Sequence, residues 1–224
     1  MSGRVIAIVG AESTGKSTLA LALAARVVEQ TGLRCTAVGE FLREWCAREG
    51  RTPRVDEQAA IAATQQSRIE AAAADNDLVV ADTTPLMIAL YSRMLFGDTS
   101  LLPMAVAAQR RVAVTLLTAL DLPWVADGLQ RDGEQVRAPV DQAVRALLAE
   151  HGLGWSVVGG QGAARVEQAL AAITPLLATL APPHAGLFTR LAARDAAMPV
   201  WSWVCEKCDV PDCEHAALRS AQGR

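Results

Sequence analysis

No stretch of this sequence stays apolar for long enough to cross a bilayer: the longest runs, such as 19–25 and 101–108, fall well short of the roughly 18 residues that a spanning helix needs. The N-terminus also lacks a secretion signal. Its apolar residues 5–9 are too few, and they run into glycines rather than a small-residue cleavage site. A cytosolic protein with no membrane partner is expected. Lys and Arg number 21 against 24 Asp and Glu, a formal net charge of -3, so the basic excess of a dedicated nucleic-acid binder is missing. Cysteines are few and odd in number, five in all. Cys35 and Cys46 stand alone and Cys205, Cys208 and Cys213 are clustered, which is no secreted disulfide framework; reduced thiols or a metal fit better. Only 20% of residues are charged and 51% are hydrophobic, which excludes wholesale disorder. A chain of 224 residues has room for one α/β domain and a short appendage.

What is there is an alternation of β-rich apolar runs with Ala/Leu-rich helical runs, the sign of a parallel sheet covered by helices on both faces. Strands are expected at 5–9, 35–38, 78–81, 112–117 and 156–158, and helices at 16–30, 56–74, 85–96, 140–151 and 164–180. Asp56 can cap the second helix and Pro85 suits the first turn of the third. Five strands with crossover helices make a doubly wound α/β domain over residues 1–181, of the P-loop nucleotide-binding type for the reason that follows. Pro182-Pro183 marks a boundary, leaving residues 182–224 as a Cys-rich tail.

Gly10-Ala11-Glu12-Ser13-Thr14-Gly15-Lys16-Ser17 fits G-x-x-x-x-G-K-[ST], directly after a strand and opening a helix from Thr18. The arrangement aims backbone N–H groups and a helix N-terminus at phosphates, with glycines permitting the turn. Lys16 then supplies a point charge to the β/γ-phosphates, and Ser17 a hydroxyl to Mg²⁺. Asp82, closing the apolar run 78–81, has the place of a Walker-B carboxylate that reaches the Mg²⁺ shell; capping the next helix is its plainer role, and both can hold. These features predict an ATP site. No N-K-x-D guanine-reading segment is present, which disfavours a GTPase, and the added domains of a motor are absent. Two further stretches suit a small-molecule kinase: Glu40-Phe41-Leu42-Arg43-Glu44-Trp45 could bind an acceptor, and the segment from Trp124 through Asp127 to Arg131, with Arg137 following, could close over the phosphates.

GAESTGKS, GEFLREW, the run around Thr64-Gln65-Gln66-Ser67-Arg68, VVADTT and above all PWVADGL resemble the ribosylnicotinamide kinase domain of the NadR-like family, over roughly residues 4–170. W-V-x-D-G-L is the narrow marker among them. The resemblance implies transfer of the ATP γ-phosphoryl group to the 5′-hydroxyl of nicotinamide riboside, with no adenylyltransferase or repressor segment ahead of the kinase. An aromatic face and carboxylates suit the pyridinium cation of that acceptor; Phe41, Trp45, Trp124, Glu40, Glu44 and Asp127 offer both. Asp82 or Glu40 is placed to orient the hydroxyl, and Arg131 and Arg137 to stabilise charge on the phosphoryl group. Gln66 is a candidate reader of the carboxamide. Plainer readings stand beside these: Trp45 and Trp124 as packing residues, Arg43 and Glu44 as solvated charges, Gln66 as a polar helix-face residue. The pattern departs at Thr84, where a D-T-D run would carry a second carboxylate near the acceptor. Another nucleoside or metabolite kinase, or a non-catalytic nucleotide-binding regulator, are the alternatives, and a homo-oligomer is open.

In the tail, Cys205, Cys208, Cys213 and His215 form C-x₂-C-x₄-C-x-H, readable as a structural Zn²⁺ site although Cys-x-His is tight for one metal. Free thiols, or an iron–sulfur or redox pair, are the other readings.

Overall fold

The computed structural model describes residues 2–125 and 133–180. Asp127 and Arg131 lie outside the described residues, as do the tail with its candidate zinc ligands Cys205, Cys208, Cys213 and His215 and the boundary expected at 181–182.

Five strands, β1 (Arg4–Val9), β2 (Cys35–Val38), β3 (Leu78–Asp82), β4 (Val114–Thr118) and β5 (Ser156–Val158), form one sheet in the order β2-β3-β1-β4-β5. Every pairing is parallel. All five residues of β3 are buried, as a central strand covered on both faces requires. Alternation along the strands divides the core into two layers. Ile6, Ile8, Leu78, Val80 and Leu116 meet the helices α1 (Lys16–Thr31) and α7 (Gly162–Leu180). Val79 and Ala81 face the other way, onto Ile69 and Ala73 of α3 (Gln58–Asp75). On that same side Val9 and Leu117 join a cluster with α4 (Pro85–Phe96) and α6 (Arg137–Glu150).

Two short helices were not foreseen by periodicity: α2 (Phe41–Glu49) and α5 (Leu102–Gln109). The fourth strand begins at Val114 rather than 112, because the Val112 N–H donates to the Gln109 carbonyl in the turn that ends α5. Asp56 does not cap α3. It lies in a single 3₁₀ turn, Val55–Glu57, and the neighbouring Glu57 reaches back to accept from the Arg54 N–H at 2.8 Å. Pro85 does open α4. No helix of the described residues is long and apolar enough to cross a membrane. Cys35 is a half-buried free thiol, and burial pushes it up to about 11.

Because β1 lies between β3 and β4, the carboxyl ends of these three strands bring Gly10, Asp82 and Thr118 together. Crossovers leave in opposite directions there, which opens a crevice.

Candidate functional site

The loop from Gly10 to Gly15 is held against the end of β4. Gly10 has φ +147, and a Cβ there would come within 2.2 Å of Thr118 Oγ1, so this position requires glycine. Thr14 is fully buried; its hydroxyl shares a 2.7 Å hydrogen bond with Thr118 Oγ1 and donates to the Ala11 carbonyl at 2.8 Å. Ser13 (φ 53) and Gly15 (φ 72) are left-handed, the alternation that turns successive N–H groups to one side as an anion nest. Holding Ser13 there costs about 1 kcal/mol. Behind the loop stands Arg165 of α7, only 4% exposed. It donates to the Thr14 carbonyl, the Gly160 carbonyl and Asp121 Oδ1, each at 2.8 Å. Burial pushes the Asp121 carboxyl up, but the bonds from Arg165 and the Gly160 N–H outweigh it and hold the group below its usual range.

Two cavities meet at this loop. The first, about 510 Å³, is lined by Ser13, Thr14, Gly15, Ser17, Thr18 and the 122–125 segment. The second, about 370 Å³, is lined by Gly10, Glu12, Glu40, Thr83, Met87 and Tyr91 among others. Lys16 and Arg43 line both. Lys16 Nζ donates to the Ala11 carbonyl at 2.7 Å. Burial lowers its pKa, while the negative charges of Glu40, Asp82 and Glu12 pull the other way. Burial raises the pKa of Glu40, with Lys16 opposing, and Arg43 donates to Glu40 at 3.2 Å. Asp82 is 3% exposed, with Oδ1 buried and unpartnered. Asp82 lines neither cavity but acts on Lys16 through its charge, and a carboxylate oxygen without a donor together with the Ser17 hydroxyl is the all-oxygen chemistry a hard cation takes, so the residues fit Mg²⁺.

Several residues expected at the site are turned elsewhere. Trp45 is buried in the core with the Arg51 guanidinium 4.9 Å over its ring, and Arg68 covers Phe41 at 4.5 Å. Neither residue lines either of these two cavities. Trp124 is half-buried, its indole nitrogen sealed without a partner, between Pro123 and Val125, which do line the first cavity. Gln66 donates to Glu70 on the outer face of α3; Gln65, one residue earlier and about 100° round the helix, is the buried one, accepting from the Phe41 N–H at 2.8 Å. Arg137 points inward and donates to the Leu122 carbonyl at 2.9 Å, supporting the 122–125 segment from beneath. Glu44 pairs with Arg68 at the surface. Thr84, too, faces away: it is buried and donates to Gln109, which in turn donates to Thr115.

What sequence reading missed is the contribution of α4. Tyr91, the one tyrosine in the chain, donates to Glu12 Oε1 at 2.6 Å, and Leu95 and Phe96 complete the rim of the second cavity. A single tyrosine on a largely apolar helix was the available signal. Thr52 and Pro53 form another part of that wall, and their loop is clamped by Arg51, which donates to Glu57 at 2.8 and 2.7 Å. Bonds from Arg51 and the Arg54 N–H hold the Glu57 carboxyl at about 2, against an ordinary 4.5. A folded-state value below the unfolded one stabilises above the unfolded value, and the contribution is lost as pH falls from about 4.5 toward about 2. Glu57→Gln should therefore flatten the acid limb of stability in that window, followed by circular dichroism; an unchanged limb would count against the clamp.

Residues 5–165 match the sequence model of the AAA domain. No curated protein matches the chain. Among solved structures, a NadR protein in complex with NAD and AMP-PNP superposes with TM-score 0.61 at 20% identity, covering 77% of this chain and 49% of that one. A NadR protein in complex with NR gives 0.63 at 21%, covering 79% and 51%. The chain thus spans about half the length of the NadR chains it matches. Thymidylate kinase from Ehrlichia chaffeensis gives 0.52 at 14%, covering 79% of this chain and 100% of that one. With the phosphate loop at the head of a five-stranded parallel sheet and the family match running over most of its length, the chain belongs to the AAA domain family, on the P-loop fold that it shares with NadR.

Proposed function

We propose that the protein is an ATP-dependent kinase that phosphorylates the 5′-hydroxyl of nicotinamide riboside. The observation that carries this reading is the pair of cavities that share Lys16 and Arg43: a phosphate donor on one side and an alcohol on the other would meet at a single ammonium group. In-line phosphoryl transfer needs little more than that positioning and a charge to receive the phosphoryl oxygens. ATP occupies the cavity around the loop, its phosphates on the N–H groups of residues 10–18. Ser17 and Asp82 would hold Mg²⁺, which supplies neutralisation of the phosphate charge. The acceptor occupies the second cavity, which Glu40 lines; Glu40 and Asp82 are the negative charges that act most strongly on Lys16.

Nicotinamide riboside is favoured over a neutral nucleoside by the surroundings of that cavity. Glu12 and Glu40 line it, and Tyr91 and Phe96 give it aromatic surface, the combination that suits a pyridinium ring. NadR, solved with NR, supports the choice. The aromatic part passes from Trp45 and Trp124 to α4.

Screening nucleosides by ADP release, with identification of the phosphorylated product, tests the reading. The cationic riboside should exceed its neutral reduced analogue by about 1–2 kcal/mol, or about 5- to 30-fold in kcat/KM. Equal use of both, or preference for uridine or cytidine, would assign the protein to a different acceptor on the same fold.

A further inference from the structure

We propose that Gln58 selects the acceptor by its base, the side-chain amide nitrogen donating to the carbonyl oxygen of a carboxamide on the pyridinium ring; the assignment rests on the kinase reading above. Gln58, the first residue of α3, is 3% exposed and lines the second cavity. Neither end of its amide has a hydrogen-bond partner among the described residues. Oε1 is sealed from solvent; the NH₂ end is not, so Nε2 is the polar atom that the side chain offers to the cavity. A buried amide with nothing to bond costs stability, and methionine in its place would avoid the cost. An acceptor brought by a ligand accounts for the glutamine. The side chains of Leu42, Pro53, Leu95 and Phe96, which line the same cavity, have no acceptor to give it and suit the flat face of a ring.

Position along α3 decides which part of the acceptor Gln58 meets. Gln65 lies on the same face seven residues on. Its amide donates to the Gly39 carbonyl at 3.3 Å and accepts from the Phe41 N–H at 2.8 Å, on either side of Glu40. That level is the reacting end of the cavity, since Glu40 is the carboxylate that acts most strongly on Lys16. Seven residues of helix place Gln58 about 10 Å away along the axis, the length of a nucleoside rather than of a sugar. With the 5′-hydroxyl at Lys16, the group within reach of Gln58 is therefore on the base. A pyridinium ring joined to a sugar has no lone pair on nitrogen and otherwise only C–H edges, which leaves the carboxamide oxygen as its acceptor.

The test compares nicotinamide riboside, 3-acetylpyridine riboside and unsubstituted pyridine riboside as acceptors for the wild-type protein and for Gln58→Met. The acetyl compound keeps the carbonyl and lacks the NH₂; the third compound lacks both. The wild type should use the first two within about threefold of each other and favour both over the third by about 5- to 30-fold in kcat/KM. Gln58→Met should bring all three within about threefold, the change for nicotinamide riboside appearing in KM, and should melt no lower than the wild type, because no bond is lost. A Gln58→Met protein that loses activity equally on all three, keeping the preference, would overturn the assignment and mark Gln58 as structural. So would a wild type that uses all three alike, a result that needs no variant. Poor use of the acetyl compound beside good use of nicotinamide riboside would show that the carboxamide NH₂ is the group read, and would overturn donation from Nε2. A wild type that phosphorylates none of the three overturns the kinase reading first, and this inference with it.

Discussion

Replacing Lys16 by alanine should lower phosphoryl transfer by about 10²–10³-fold or more while the protein stays folded. The side chain makes one bond to the protein, to the Ala11 carbonyl, and its ammonium is held in a buried position that disfavours the charge. Removing a desolvated charge relieves a cost rather than creating one, and alanine is a good residue in the first turn of α1. Transfer, by contrast, loses the ammonium group that, with the Arg43 guanidinium, both cavities share. The measurement is ADP formation at saturating ATP and acceptor, beside a thermal unfolding curve. Near-normal turnover in a folded variant would defeat the proposed mechanism; loss of the fold would show that Lys16 supports the loop rather than the chemistry.

The second large effect should come from outside the motif. Arg165→Met should cost about 2–4 kcal/mol of stability and weaken nucleotide binding, although residue 165 lies in α7, 151 positions along the chain from Thr14 of the loop. Methionine preserves most of the length but removes three donors at once. The Thr14 and Gly160 carbonyls and Asp121 Oδ1 would all lose their partner. Asp121 is 37% exposed at its side chain and recovers water, which keeps the figure below that of a wholly buried pair. The Thr14 carbonyl, fixed on the back of the loop, does not. Denaturant midpoints give the stability change and nucleotide titration the binding change. Unchanged midpoints would mean that the loop is self-supporting; a Lys at 165, with one point of donation instead of a fork, should recover only part of the loss.

The sheet was legible in the sequence because β1 and β3 are short, continuously apolar runs bounded by glycines or an aspartate, and the loop because its glycines and lysine have fixed spacing. The helices α2 and α5 were not. They have 9 and 8 residues, and neither Glu40 nor Leu101 at their starts makes a side-chain capping bond, so neither periodicity nor a cap announces them. The second cavity was hardest to read. Its wall depends on which side of α4 turns inward, and a helix that is apolar nearly all round carries no stripe to tell. One position along α3 separates the buried Gln65 from the surface Gln66. Aromatic residues misled in a consistent way: Trp45 and Phe41 have the flat faces that suit a cation, but arginines of this same chain already occupy them.

In the proposed kinase, the nucleotide and acceptor cavities share Lys16 and Arg43, while α4 and the stretch carrying Thr52 and Pro53 border only the second. The loop and its supports at Thr118 and Arg165 form one inheritance; α4 and the short stretch carrying Thr52 and Pro53 form another. A lineage could therefore exchange one metabolite for a different one by repainting the second wall while the first is left untouched. Kinases of unlike appetite would then descend from a common frame, their kinship plain in the loop and lost everywhere the guest is touched.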